Sequence, residues 1–194
     1  MNANWIRSLA YTLIFSVLFI VFTMMQIKLS FSPVPFTLQT LAVILAGVFL
    51  KPQAAFISIF IVIILSLIGL PVFAGNSGLA YILGPTGGFI SYFPFGALII
   101  SHLTQLGLNY DVIKQSKLRL VAYFSVVFTL FGLVMPYVIG IPWFMNVLPD
   151  MSFERAMTIA CYPYLLFDPT KIIIAIIVLI TMKKAILQIR LHQL

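Results

Sequence analysis

Apolar residues run along this chain in long unbroken blocks, not in the alternation of a half-buried strand. Six blocks approach the roughly 20 residues, at about 1.5 Å rise each, that a helix needs to cross a bilayer. They cover 6–25, 36–50, 54–70, 87–106, 120–139 and 168–189. Backbone polar groups need partners inside lipid, so continuous apolar runs predict helices and not a barrel. The pattern predicts an all-α membrane protein: a bundle of six transmembrane helices forming one domain over residues 1–194. The second block is short and lies between Pro35 and Pro52. That helix must either stand close to the membrane normal or have irregular backbone covering one end. The first block is too long for the apolar core of a secretory signal, and no small-x-small cleavage site follows residues 23–26. No internal repeat is visible, which gives no support to an inverted-repeat transporter architecture.

Composition agrees with this reading. The chain is 62% hydrophobic and 8% charged, with a mean hydropathy of +1.16, where soluble domains average about 25% charged residues. A lone cysteine, Cys161, excludes a disulfide scaffold. The net charge of +7 is not a nucleic-acid footprint but a topology signal. If both termini are cytoplasmic, Arg7, Lys51, Lys114, Lys117, Arg119, Lys183, Lys184 and Arg190 lie inside. Only Lys28 and Arg155 then lie outside, with Lys171 near the membrane boundary. The Pro-, Gly-, Asn- and aromatic-rich stretches 28–35, 71–86 and 142–167 become outer loops, so a ligand is expected to arrive from outside.

Four places carry candidate chemistry. Asp168, one of four acids, opens the last block three residues before Lys171. Residues i and i+3 share a helix face, and ionisable groups within membrane helices tend to be paired and to face a cavity. The bland alternative is a helix start: Asp168 as N-cap, Pro169 at the first helical position, Lys171 snorkelling. The glycine-rich stretch 69–89 offers Asn76 as donor and acceptor, with Phe73, Tyr81 and Phe89 beside it, or it is a plain outer turn. Gln39 lies one turn inside the second block, where an amide needs a partner. Trp143, Tyr162 and Tyr164 fit either a ligand wall or an interfacial aromatic belt. On the first helix Ser8, Thr12 and Ser16 recur every four residues, a small-residue stripe suited to close helix contact within the bundle or with another membrane subunit.

Other chemistries are set aside. There is no phosphate-binding loop for ATP, and no His/Cys/carboxylate cluster has metal-ligand spacing. The tetrapeptide Gly75-Asn76-Ser77-Gly78 resembles the serine motif of rhomboid intramembrane proteases. A serine nucleophile needs a histidine base in reach, and His102 falls at the opposite end of its helix while His192 is in the inner tail.

Taken in order, Val34-Pro35-Phe36-Thr37-Leu38-Gln39-Thr40-Leu41-Ala42-Val43, Gly69-Leu70-Pro71-Val72-Phe73-Ala74-Gly75, Leu83-Gly84-Pro85-Thr86-Gly87-Gly88, Gly140-Ile141-Pro142-Trp143 and Asp168-Pro169-Thr170-Lys171 resemble the BioY family. These are the biotin-binding S components of energy-coupling-factor transporters. The resemblance implies a six-helix protein of the bacterial cytoplasmic membrane, not an enzyme, that captures biotin near its outer face without a cofactor. It implies partners as well: a membrane coupling subunit and ATPase subunits, although some members are reported to work alone. Asp168, Lys171 and Asn76 would meet the ureido group, with Phe73, Tyr81, Phe89 or Trp143 against the ring faces and Gln39 among the ligand-binding residues. Three departures stand out: Phe89 where Tyr is common, Phe167 before Asp168 where Gly is frequent, and Ser8, Thr12 and Ser16 where the family docks through alanines. An S component for another small vitamin is the alternative.

Overall fold

A computed structural model describes residues 3–27, 30–191 and 193, so Lys28 and His192 lie outside the described residues. The described chain is mostly helical. Helix α1 (Ala3–Met24) leads into strand β1 (Gln26–Ile27), which pairs antiparallel with β2 (Phe36–Thr37), Gln26 opposite Thr37. Then come α2 (Gln39–Phe49), α3 (Pro52–Leu67), a single-turn α4 (Gly78–Ile82), α5 (Gly87–Asn109) and α6 (Asp111–Lys114). Helix α7 (Lys117–Val127) runs through a π-helical segment (Phe128–Val134) into α8 (Met135–Val147). The short α9 (Phe153–Ala160) and α10 (Tyr162–Leu165) precede α11 (Asp168–Thr181) and α12 (Lys183–Leu191).

Among the described residues three helices are long and apolar enough to cross a membrane: Asn4–Met24, Gly87–Asn109 and Lys117–Val147. A fourth span exists if Phe153–Leu165 and Asp168–Thr181, bent by 41°, count as one. The predicted second and third spans are apolar but shorter. At 11 residues α2 is about 16 Å long, roughly half the hydrocarbon thickness. The block's N-terminal part is instead the β2 strand of the β1–β2 hairpin, the irregular-backbone alternative for that block. Every residue of α2 from Leu41 to Phe49 is buried. Its surroundings explain why: Gly47 lets Ile100 of α5 approach so closely that an added Cβ would sit 2.6 Å from its Cγ2. Gly132 does the same for Ile44. That second contact falls in the π segment, just before Pro136, whose missing N–H breaks the regular helical ladder.

Two predicted boundaries shift. The fifth helix does not end at residue 139 but continues to Val147, because Gly140 packs against the Phe89 ring and Pro142 is absorbed within the helix. The sixth breaks at Met182, so 183–191 is a separate helix. Arg190 pins that helix to the end of α2, donating to the carbonyls of Gly47, Val48 and Leu50 (3.2, 3.0 and 2.7 Å) and of Ser101 (2.9 Å). A cation at a helix C-terminus satisfies orphan carbonyls and the dipole together. Burial lowers its pKa to about 10, so it remains charged at neutral pH.

Two members of the stripe on α1 are used inside the bundle, while Ser8 is half-buried. Ser16 donates to the Ser58 carbonyl of α3 at 2.7 Å, and Thr12 and Ser16 are both buried. What α1 presents outward is apolar: Trp5, Leu9, Leu13 and Val17 are all exposed.

Candidate functional site

At the start of α11 the chain turns out of the α9–α10 segment, and Asp168 and Lys171 fall on the same face of the first turn. Lys171 Nζ is 2.7 Å from Asp168 Oδ1, and the two residues are only 5% and 4% exposed. The pair is tied in from two other elements. Tyr137 of α8 donates its hydroxyl to Asp168 Oδ2 at 2.6 Å, and Lys171 donates to Thr40 Oγ1 of α2 at 3.1 Å. The ammonium also sits over the Phe36 ring, 4.5 Å from its centroid, a favourable cation–π geometry.

These groups face a half-open cavity with an empty volume, counting its mouth, of about 600 Å³. Its polar rim is Thr37, Gln39, Thr40 and Thr86, with Asp168 and Lys171 in the wall. The apolar surface comes from Phe36, Tyr81, Phe89, Phe93, Pro136 and Tyr164. This mixture, mostly apolar with a few convergent polar groups, is the usual make-up of a small-molecule site. The hairpin side is fixed by Tyr164, whose hydroxyl donates to the Val34 carbonyl and lies 2.9 Å from the Ser32 hydroxyl. Its ring stacks on Phe36 at 6.4 Å. Across the cavity burial pushes up the pKa of Tyr81, which interacts with Thr86, so its hydroxyl stays neutral.

Of the eight residues expected to touch the ligand, Asp168, Lys171, Gln39, Tyr81 and Phe89 line this one cavity, as does the candidate wall residue Tyr164, while Tyr162 is exposed. Gln39 has its amide already engaged, donating to Thr23 at 3.2 Å and accepting from Thr37 at 3.2 Å. The other three stand elsewhere. Phe73 is fully buried beneath Tyr81, ring centroids 5.6 Å apart. Asn76 is exposed and closes a tight turn, its Nδ2 donating to the Phe73 carbonyl at 3.1 Å beside Ala74 and Gly75 at positive φ. Trp143 lies inside α8, behind the cavity wall. Its Nε1 donates to the Gly84 carbonyl at 2.9 Å, and Gly87 and Gly88 make room for the indole. Tyr137 was not singled out. A hydroxyl inside an apolar span needs a partner, but Tyr123, Ser125 and Thr129 share that block and blur the signal.

The serine of Gly75-Asn76-Ser77-Gly78 precedes α4 at the hairpin end, while His102 is exposed 15 residues, about 22 Å, along α5 from Gly87. No nucleophile–base contact can form between them. Among the described residues no group of three or more His, Cys, Asp or Glu could hold a metal ion.

Comparison with known proteins agrees on one family. A family model described as the BioY family matches residues 1–188. The probable biotin transporter BioY of Pyrococcus horikoshii is 38% identical over 154 residues, covering 79% of this chain and 83% of the relative. The biotin transporter BioY of Rhizobium etli is 34% identical over 152 residues, covering 77% and 79%. The Thermotoga maritima biotin transporter BioY is 29% identical over 92% of this chain and 96% of its own. In structure, the chain resembles the crystal structure of an S-component for biotin from an ECF-type ABC transporter. The TM-score is 0.76 and the identity 27%, over 95% of this chain and 94% of the other.

Proposed function

The chain belongs to the BioY family, and from that premise we propose that it captures biotin in the cavity beside Asp168 and Lys171 and carries it across a membrane. It is a transport protein, not an enzyme. The observation that carries the site is the hydrogen-bonding inventory of the buried pair. Lys171 has three N–H groups, of which one goes to Asp168 and one to Thr40, leaving one donor. Asp168 accepts one bond on each oxygen, leaving two acceptor positions. A spare donor beside spare acceptors is the complement of one edge of a cyclic urea, its carbonyl and the N–H next to it; the second N–H, on the other side of the ring, meets a different group. Phe36, Tyr81, Phe89 and Tyr164 then supply apolar contact for the fused rings. Such a site rejects ligands without a urea, because its own buried groups would be left unpaired.

The orientation follows from charge. A hydrogen bond joins the C-terminal end of α1 to the start of α2 (Thr23–Gln39), and α12 docks on the far end of α2 at Gly47–Leu50. That arrangement supports putting the start of α1 and α12 together at the end that carries Lys51, Lys117, Arg119, Lys183 and Lys184. With the positive end cytoplasmic, the cavity opens outward and the six apolar segments form one bundle in the cytoplasmic membrane. The chain carries no phosphate loop, so energy would come from a coupling subunit with ATPases, for which the exposed apolar face of α1 is available.

Calorimetric titration of the detergent-purified chain tests the reading. Biotin and dethiobiotin, which share the urea, should bind. Lipoic acid, which shares only the five-carbon acid tail, should not. Binding of lipoic acid with biotin-like affinity, or no binding of biotin, refutes it. Co-purification of ATPase subunits with the tagged chain tests the coupling.

A further inference from the structure

Resting on the biotin reading, we infer that the site reads the ring and leaves the tail carboxyl unread, so that neutral amides and esters of biotin are ligands as well. The argument is one of charge. Among the described residues, Asp168 and Lys171 are the only ionised groups in the cavity wall, and they neutralise each other at 2.7 Å. The pair therefore leaves no net charge to receive an anion.

Lys171 has one N–H to spare, and the two claimants for it are at opposite ends of the ligand. In a cyclic urea the carbonyl is flanked by both N–H groups. A ring that donates to Asp168 therefore sets its own carbonyl beside Lys171. The carboxylate, five carbons away, cannot use the same proton. Among the described residues no other cation takes its place. Arg155 is exposed on α9 and outside the lining, and Lys51, Lys117, Arg119, Lys183, Lys184 and Arg190 gather at the opposite end of the bundle. Gln39, the amide nearest the pair, has its oxygen and one N–H committed to Thr37 and Thr23. A carboxylate buried without a cation is strongly disfavoured, so the tail must end where water reaches it, at the open side of the cavity. A group left in water can be neutralised or extended at little cost. The ligand class becomes biotin with a variable carboxyl substituent, including biotin joined to the side-chain amine of lysine.

Competition calorimetry on the wild-type protein with biotin, biotinamide and biotinyl-lysine decides the matter. Biotinamide and biotinyl-lysine should each bind within about 5-fold of biotin. A charge-assisted bond to the carboxylate would instead make both weaker by roughly 10- to 150-fold, and that result overturns the inference while leaving biotin capture intact. Failure of biotin itself to bind would overturn both.

Discussion

Lys171→Met keeps most of the side chain's length and removes only the ammonium, which makes it a clean perturbation of the site. It deletes the 2.7 Å contact with Asp168, the Thr40 hydrogen bond and the cation–π contact with Phe36. Asp168, 4% exposed, is left with Tyr137 as its one remaining partner among these. Removing one member of a buried ion pair costs about 3–5 kcal/mol, because the other charge stays buried and uncompensated. For a chain of this length that corresponds to a fall in Tm of about 6–20 °C. Asp168→Asn strands the ammonium in the same way and should cost as much. The double variant, Asp168→Asn with Lys171→Met, removes both charges. It should regain about 0.5–3 kcal/mol over the sum of the singles, as contacting residues do. Tryptophan fluorescence of Trp143 during thermal unfolding in detergent gives the Tm values, and calorimetry gives biotin affinity, which all three variants should lose. Single variants that melt within about 2 °C of wild type, a loss under about 1 kcal/mol, would show that the pair is not mutually dependent. Additive losses, or unchanged biotin affinity in Lys171→Met, would refute the reasoning outright.

Tyr137→Phe removes a 2.6 Å bond to a carboxylate without changing the ring that packs edge-on to Phe89. Bonds to charged groups are worth about 1.5–3 kcal/mol, so biotin affinity should fall roughly 10- to 150-fold, measured calorimetrically, with near-wild-type helicity by circular dichroism. Arg190→Ala should do the reverse. It strands the carbonyls of Gly47, Val48, Leu50 and Ser101 and lowers Tm, at about 1–3 kcal/mol for each acceptor left dry. Biotin affinity should change less than about 3-fold, since Arg190 is remote from the cavity.

The sequence made the site's charges legible and its surroundings only partly so. Asp168 and Lys171 stood out because ionised groups are rare in apolar blocks, and that rarity survives whatever the rest of the fold does. Trp143 was harder to place. Gly140 and Pro142 look like the end of a helix, whereas in the structure Gly140 is small so that Phe89 can pack on it and the helix runs on beneath. Periodicity showed that Ser8, Thr12 and Ser16 share a face, but not what covers that face. The answer, α3, depends on long-range packing that no local pattern records. Asn76 shows the same limit in a loop: its amide suits a ligand as well as a turn, and here it closes the turn.

The two shortfalls in span length belong to one design. The second block gives up its N-terminal part to the β1–β2 hairpin, and that substitution carries Phe36 and Thr37 to the cavity while Gln39 and Thr40 open the remaining helix. The helical segments Phe153–Leu165 and Asp168–Thr181 meet at a 41° bend, and that break makes Asp168 and Lys171 the first turn of a helix, not the middle of one. The two interruptions meet where Lys171 donates to Thr40. Irregular backbone is costly in lipid and persists at that depth only where protein or a water-filled cavity satisfies it. A continuous α2 and a straight last span would therefore close the space between them with apolar side chains. The short second block, bounded by two prolines, and the Asp-Pro that opens the sixth are the sequence's record of where that space had to be left.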